Sequence, residues 1–128
     1  ANSAQEAADG ADVVLLCTSA AEPVIDVTRL APGTLITSIS TNAPMAREID
    51  PAALPALDVY ADLTSAALAA AGEMRIAGLT QADIRGDLPG LIGGSAPPPT
   101  GDRPVFFRSV GLGIEDAAVA LAVLEAQS

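Results

Sequence analysis

Histidine, lysine and tryptophan are absent from the 128 residues, and the chain holds one cysteine, one tyrosine and two phenylalanines. Each absence excludes something. Without histidine there is no serine–histidine or cysteine–histidine nucleophile pair, and a single Cys17 leaves almost no zinc ligand set. One cysteine also rules out an internal disulfide framework and leaves cytoplasm as the default compartment. A net charge of −10, with all six cations arginine, argues against nucleic acid or an anionic membrane as partner. No apolar run approaches the roughly 20 residues that a membrane span needs, and no basic-then-apolar leader opens the sequence. No metal site is expected.

What is present is aliphatic. Half the residues are hydrophobic, yet with so few aromatics the core must come from Val, Ile and Leu, with Ala at close contacts. Such a chain reads as one domain with a modest core. Residues 3–8 favour a helix stopped by Asp9-Gly10. Residues 13–17 (VVLLC) form a short, wholly apolar run of the kind buried on both faces of a parallel sheet. Residues 35–39, after the Pro32-Gly33 turn, predict a second strand and residues 57–61 a third. Between them, residues 46–54 predict a short helix with a turn, and residues 64–76 an Ala-rich helix crossed by Gly72. Residues 86–94 suggest one or two helical turns, residues 95–104 a proline-rich surface loop, and residues 105–108 a strand. Val110, Ile114, Ala117, Leu121 and Leu124 then recur at helical spacing as one apolar stripe. Strands alternating with short helices predict an α/β fold.

In open parallel sheets, ligands sit beyond the carboxyl ends of the strands. Thr18 and Ser19 follow the first strand, and Ser40 through Pro44 follow the second. Such small polar residues donate hydrogen bonds to ligands, and they equally form caps and turns. After residue 108, Gly111 and Gly113 bracket Leu112, and a helix opens with Glu115 and Asp116. Those carboxylates complement the helix dipole and repel a pyrophosphate, so only the neutral nicotinamide end of a dinucleotide suits this turn. A plain glycine-rich turn is the other reading. No Gly-x-Gly-x-x-Gly fingerprint follows any predicted strand.

Residues 106–116 (FFRSVGLGIED), residues 41–50 (TNAPMAREID) and residues 13–23 (VVLLCTSAAEP) together resemble the ornithine cyclodeaminase/mu-crystallin family. The resemblance spans essentially the whole chain, and it implies a C-terminal piece of the longer protein. The implied fold is a partial Rossmann-type parallel sheet with flanking helices, lacking the first βαβ unit, with residues 105–128 as its closing strand and helix. The implied cofactor is NAD(P)H, NADP being placed slightly ahead of NAD. Carried over by position, Thr18, Ile39, Ser40, Thr41, Asn42 and Ser109 would contact the cofactor, and Val110 would touch the substrate. Asn42 stands where the cyclodeaminases carry a catalytic Asp, and Ala46 where they carry a cofactor-contacting Lys, with Arg47 as a potential substitute. An amide has no useful titratable proton, so Asn42 would orient water or ligand. Both departures point from ornithine deamination toward the pyrroline-2-carboxylate (ketimine) reductase branch. There, a cyclic imino acid, pyrroline-2-carboxylate or piperideine-2-carboxylate, is reduced to proline or pipecolate. The alternatives are an ornithine cyclodeaminase, a non-catalytic nucleotide-binding protein of the mu-crystallin sort, or a truncated product without function. A homodimer is expected for the full-length protein, in the cytoplasm, with the fragment alone inactive.

Overall fold

A computed structural model describes residues 1–39 and 45–127. Helix α1 (Ala4–Ala8) is capped by the Ser3 hydroxyl, which accepts from the Glu6 amide. Strands β1 (Val13–Leu16) and β2 (Leu35–Ser38) follow, then a 3-10 turn at Pro51–Ala56 and strand β3 (Asp58–Ala61). Helices α2 (Thr64–Ala70) and α3 (Gly72–Ala77) lead to β4 (Gly86–Asp87) and α4 (Leu88–Ile92). Strand β5 (Val105–Arg108) and helix α5 (Gly113–Ala126) complete the described elements.

All strand pairs are parallel, in the order β1-β2-β5-β3-β4. One face of the sheet carries the main core, and the opposite face is covered at β3 and β5, where Asp58, Tyr60 and Val105 are at most 7% exposed, but open at β1. Ile36, Phe106 and Val59 lie in register across β2, β5 and β3, and each is at most 2% exposed. Burying Phe106 and its aliphatic neighbours contributes about 1.5–3 kcal/mol per side chain. Met74, Ala67 and Ala71 from α2 and α3 join this core. Alternation along each strand puts Val13, Leu15 and Leu35 on the other face, where Val13 and Leu15 are 60% exposed. The expectation that the first strand is buried on both faces is therefore corrected, because no described element covers that side of β1.

Two helical readings also change. The stretch 64–76 is two helices, broken at Ala71, whose extended ψ of 119° ends one and opens the other. Gly72 then meets the loop after β2 so closely that a Cβ there would stand 2.1 Å from the Ala46 carbonyl oxygen. The predicted helix at 46–54 is a turn followed by the 3-10 segment Pro51–Ala56, started by Asp50, which accepts from the Ala52 amide. Helix α5 forms as expected, but its apolar stripe is uncovered, with Ile114 75% and Leu124 64% exposed.

Candidate functional site: the carboxyl edge of the sheet

Strand register decides which residues meet. Leu16 pairs with Ser38, Ser38 with Arg108, and Arg108 with Ala61, so four strands end on one line. The ladder runs one residue further. The amides of Ile39, Ser109 and Asp62 donate to the carbonyls of Leu16, Ser38 and Arg108 at 3.1, 3.0 and 3.1 Å. Thr18, Ile39, Ser109 and Val110 are thereby brought to a common edge. Thr18 and Ile39 are exposed there, while Ser109 and Val110 are half-buried.

Beneath this edge lie charged side chains shut off from water. Glu48, 1% exposed, accepts from the Thr18 amide at 2.6 Å and the Ser38 hydroxyl at 2.7 Å. One carboxylate thus ties the turn after β1 to the end of β2. Arg108 is fully buried, its Nη1 donating to the Ser109 carbonyl at 2.7 Å and more distantly to the Ser38 carbonyl at 3.4 Å. Its Nε stands 2.8 Å from Glu73 Oε1 on α3. Burial pushes the Glu73 carboxyl above its ordinary value, Arg108 opposes that shift, and the negative charge of Glu48 reinforces it.

A third carboxylate secures the turn after β5. Asp62, 2% exposed at the end of β3, accepts through Oδ2 from the Ser109 hydroxyl and the Val110 and Gly111 amides. Those distances are 3.0, 2.7 and 3.0 Å, and Oδ1 accepts from the Leu63 amide at 2.8 Å. Gly111 has a φ of +76°, which lets the chain turn sharply over this carboxylate.

Of the residues singled out from the sequence, Ser40, Thr41 and Asn42 lie outside the described residues. Thr18 holds its own turn, its hydroxyl accepting from the Ala20 amide at 3.1 Å. Arg47, considered as a substitute for a lysine at 46, is engaged with the Glu22 carboxylate and the Met45 carbonyl. Ala46 itself is 5% exposed, and its backbone lies against Gly72. Asp62, Glu73 and Arg108 escaped sequence reasoning as site residues. Position was a partial signal for Asp62 and Arg108, since an ionisable residue at the end of an apolar strand must be either solvated or paired; Glu73, inside α3, carried none.

The edge suits the neutral end of a dinucleotide better than its phosphates. It offers the hydroxyls of Thr18 and Ser109, and a Cβ placed on Gly111 or Gly113 would meet nothing within 4 Å. At the start of α5, Glu115 already accepts from the Leu112 amide at 3.3 Å, and Asp116 adds a second negative charge. Among the described residues no acidic or thiol cluster could hold a metal, and no helix is long and apolar enough to cross a membrane.

A parallel α/β sheet with this edge defines a Rossmann-type domain, and its structural neighbours include a reductase in complex with NADH and an archaeal alanine dehydrogenase with bound NAD. The ornithine cyclodeaminase/mu-crystallin family matches residues 1–128, and the chain belongs to that family. It is 51% identical over 127 residues to the NAD(P)H-dependent anabolic L-arginine dehydrogenase of Pseudomonas aeruginosa, covering 96% of this chain and 40% of that protein. It is 33% identical over 127 residues to the ketimine reductase mu-crystallin of Mus musculus, covering 99% and 39%. Among solved structures, the Thermococcus litoralis Δ1-pyrroline-2-carboxylate reductase in complex with NADH and L-proline superposes with a TM-score of 0.86 at 29% identity. That match covers 94% of this chain and 39% of the reductase. The chain therefore spans about two fifths of the length of these relatives.

Proposed function

We propose that this chain supplies the nicotinamide-facing part of an enzyme that reduces the C=N bond of an imino acid with NAD(P)H. The observation that carries the reading is the convergence of Thr18, Ile39 and Ser109 on one strand edge above a floor of buried charge. NAD(P)H, when bound, supplies hydride to the imine carbon, and the nitrogen then requires one proton. In this reading Thr18, Ile39, Ser40, Thr41, Asn42 and Ser109 hold the cofactor, and Val110 borders the substrate. Asn42 orients water or the substrate nitrogen through its amide, without itself titrating. The substrate is a cyclic imino acid, pyrroline-2-carboxylate or piperideine-2-carboxylate. The full-length protein is a cytoplasmic homodimer with NADP favoured over NAD, and residues 1–128 form the C-terminal part of its dinucleotide-binding domain.

One observation favours a second substrate class: the identity of 51% to an L-arginine dehydrogenase supports an open-chain imino acid formed from the keto acid of arginine and ammonia. A single assay separates the readings. The full-length protein is given NADPH or NADH with pyrroline-2-carboxylate, with piperideine-2-carboxylate, or with the arginine keto acid plus ammonia. Cofactor oxidation with a ring imine supports the first reading, and oxidation only with the keto acid and ammonia supports the second. Oxidation with none of the three, together with ammonia release from ornithine, would return the protein to the cyclodeaminases.

A further inference from the structure

The Ser109 hydroxyl is not free to choose its role. Its proton points to Asp62 Oδ2 at 3.0 Å, and that oxygen is fixed by the Val110 and Gly111 amides. The hydroxyl also accepts from the Gly111 amide at 3.3 Å. A serine hydroxyl has one proton and two lone pairs. With the proton committed to a carboxylate, and one lone pair facing Gly111, a single lone pair remains for a ligand. The backbone is held as firmly, since the Ser109 carbonyl accepts from the buried Arg108 at 2.7 Å. The Ser109 hydroxyl cannot turn its proton elsewhere cheaply, because the buried Asp62 carboxylate would lose one of its donors.

From this geometry we infer that Asp62 is a positioning residue that makes Ser109 an obligate hydrogen-bond acceptor toward the cofactor. The inference rests on the cofactor reading proposed above and deepens it. An acceptor at this place selects the NH2 end of the nicotinamide carboxamide. The ring is thereby fixed in one of its two orientations about the glycosidic bond, and so is the face it turns to the substrate. Asp62 touches neither cofactor nor substrate; it acts through Ser109.

The test pairs protein variants with a cofactor analogue. In the 3-acetylpyridine analogue of NAD(P), a methyl ketone replaces the carboxamide, so the NH2 donor is gone while the carbonyl stays. Dissociation constants for the natural cofactor and the analogue are measured on the full-length protein. The wild type should bind the analogue about tenfold more weakly, as expected for one lost hydrogen bond. In Ser109→Ala the two should bind within about twofold of each other, and in Asp62→Ala within about threefold, on the same scale of one hydrogen bond. Asp62→Asn can keep its carbonyl oxygen toward Ser109 and should restore most of the wild-type ratio. A purely structural role for Asp62 would weaken both cofactors equally and leave the ratio at its wild-type value, which overturns the inference. Ser109→Ala leaves the backbone bonds to Asp62 in place, so it decides the acceptor role even where Asp62→Ala does not fold. An unchanged ratio in Ser109→Ala also overturns it. A wild type that binds neither nucleotide removes the cofactor reading itself, and this inference with it.

Discussion

Arg108 and Glu73 form an ion pair at 2.8 Å in which neither side chain reaches water. The pair joins the central strand to α3, and the same guanidinium holds the Ser109 carbonyl. Removing one member leaves the other charged and buried, which costs about 3–5 kcal/mol, whereas replacing both by apolar groups costs much less. Arg108→Met and Glu73→Leu should each lower stability by that amount. The double variant should recover at least half of the summed loss. Urea unfolding of the four proteins measures the coupling.

The same pair gives a pH dependence of defined sign. Burial holds the Glu73 pKa above the ordinary 4.5, so the native state binds its proton more tightly than the unfolded chain does. Its contribution to stability is complete below that value and is lost as pH rises through the raised native pKa. Asp87 runs the other way. The Thr64 and Gly90 amides hold its carboxyl below 3.8, so its contribution is present above that value and is lost as pH falls. Urea midpoints from pH 3 to 8, for wild type, Glu73→Gln and Asp87→Asn, should show the two slopes vanish separately.

Glu48 is expected to matter for both fold and cofactor. Glu48→Ala strands the buried hydroxyl of Ser38 and takes away the acceptor of the Thr18 amide. A loss of about 1–3 kcal/mol follows. The Thr18 turn then loses its anchor, and the KM for NAD(P)H of the full-length protein should rise several-fold more than kcat falls. A change in kcat alone would disconnect Glu48 from cofactor binding.

Gly72→Ala sets two effects against each other. Helix propensity favours alanine by up to about 1 kcal/mol. Against it, the new Cβ would meet the Ala46 carbonyl oxygen at 2.1 Å, and that oxygen is backbone. Overpacking of this kind costs about 1–3 kcal/mol, so the variant should be less stable by chemical denaturation.

Helix α5 contributes nothing to the described core, since none of its residues is buried. A helix of its 14 residues is marginal in water without a packed face. Its amides should exchange with deuterium nearly as fast as an unfolded peptide in the isolated chain. Those of β5 should be protected. In the full-length protein, protection of α5 should rise as its stripe finds a cover.

The parts of the fold legible in the sequence were those with a one-dimensional signal. The apolar runs at β1, β2 and β5 and the 3.6-residue period of α5 are local patterns, and each element formed within a residue or two of its expected place. Strand β4 was not legible, because Gly86 and Asp87 carry no apolar pattern and pair only through the register of β3. The helix break at Ala71 falls beside the close approach of Gly72 to Ala46, far earlier in the chain, and no local window of sequence contains that contact. The site divides in the same way. Thr18 and Ser109 could be named because they follow strands, and Ile39 only through the family resemblance. Asp62, Glu73 and Arg108 could not, because a buried charge is recognised by its partners, and these are brought together only by the sheet.

Strand β5 comes last in the chain yet lies between β2 and β3. The β1–β2 and β3–β4 ladders share no strand bond until it arrives. Without β5, a nascent chain exposed only to residue 104 can pair its strands as no more than two separate ribbons, β1–β2 and β3–β4. The insertion of four residues then closes every remaining ladder at once. Loop closure over such distances is slow, and the open ribbons are the interval in which mispairing occurs. Arg108 and Ser109 travel with that strand, so the sheet and its carboxyl edge are completed in the same event.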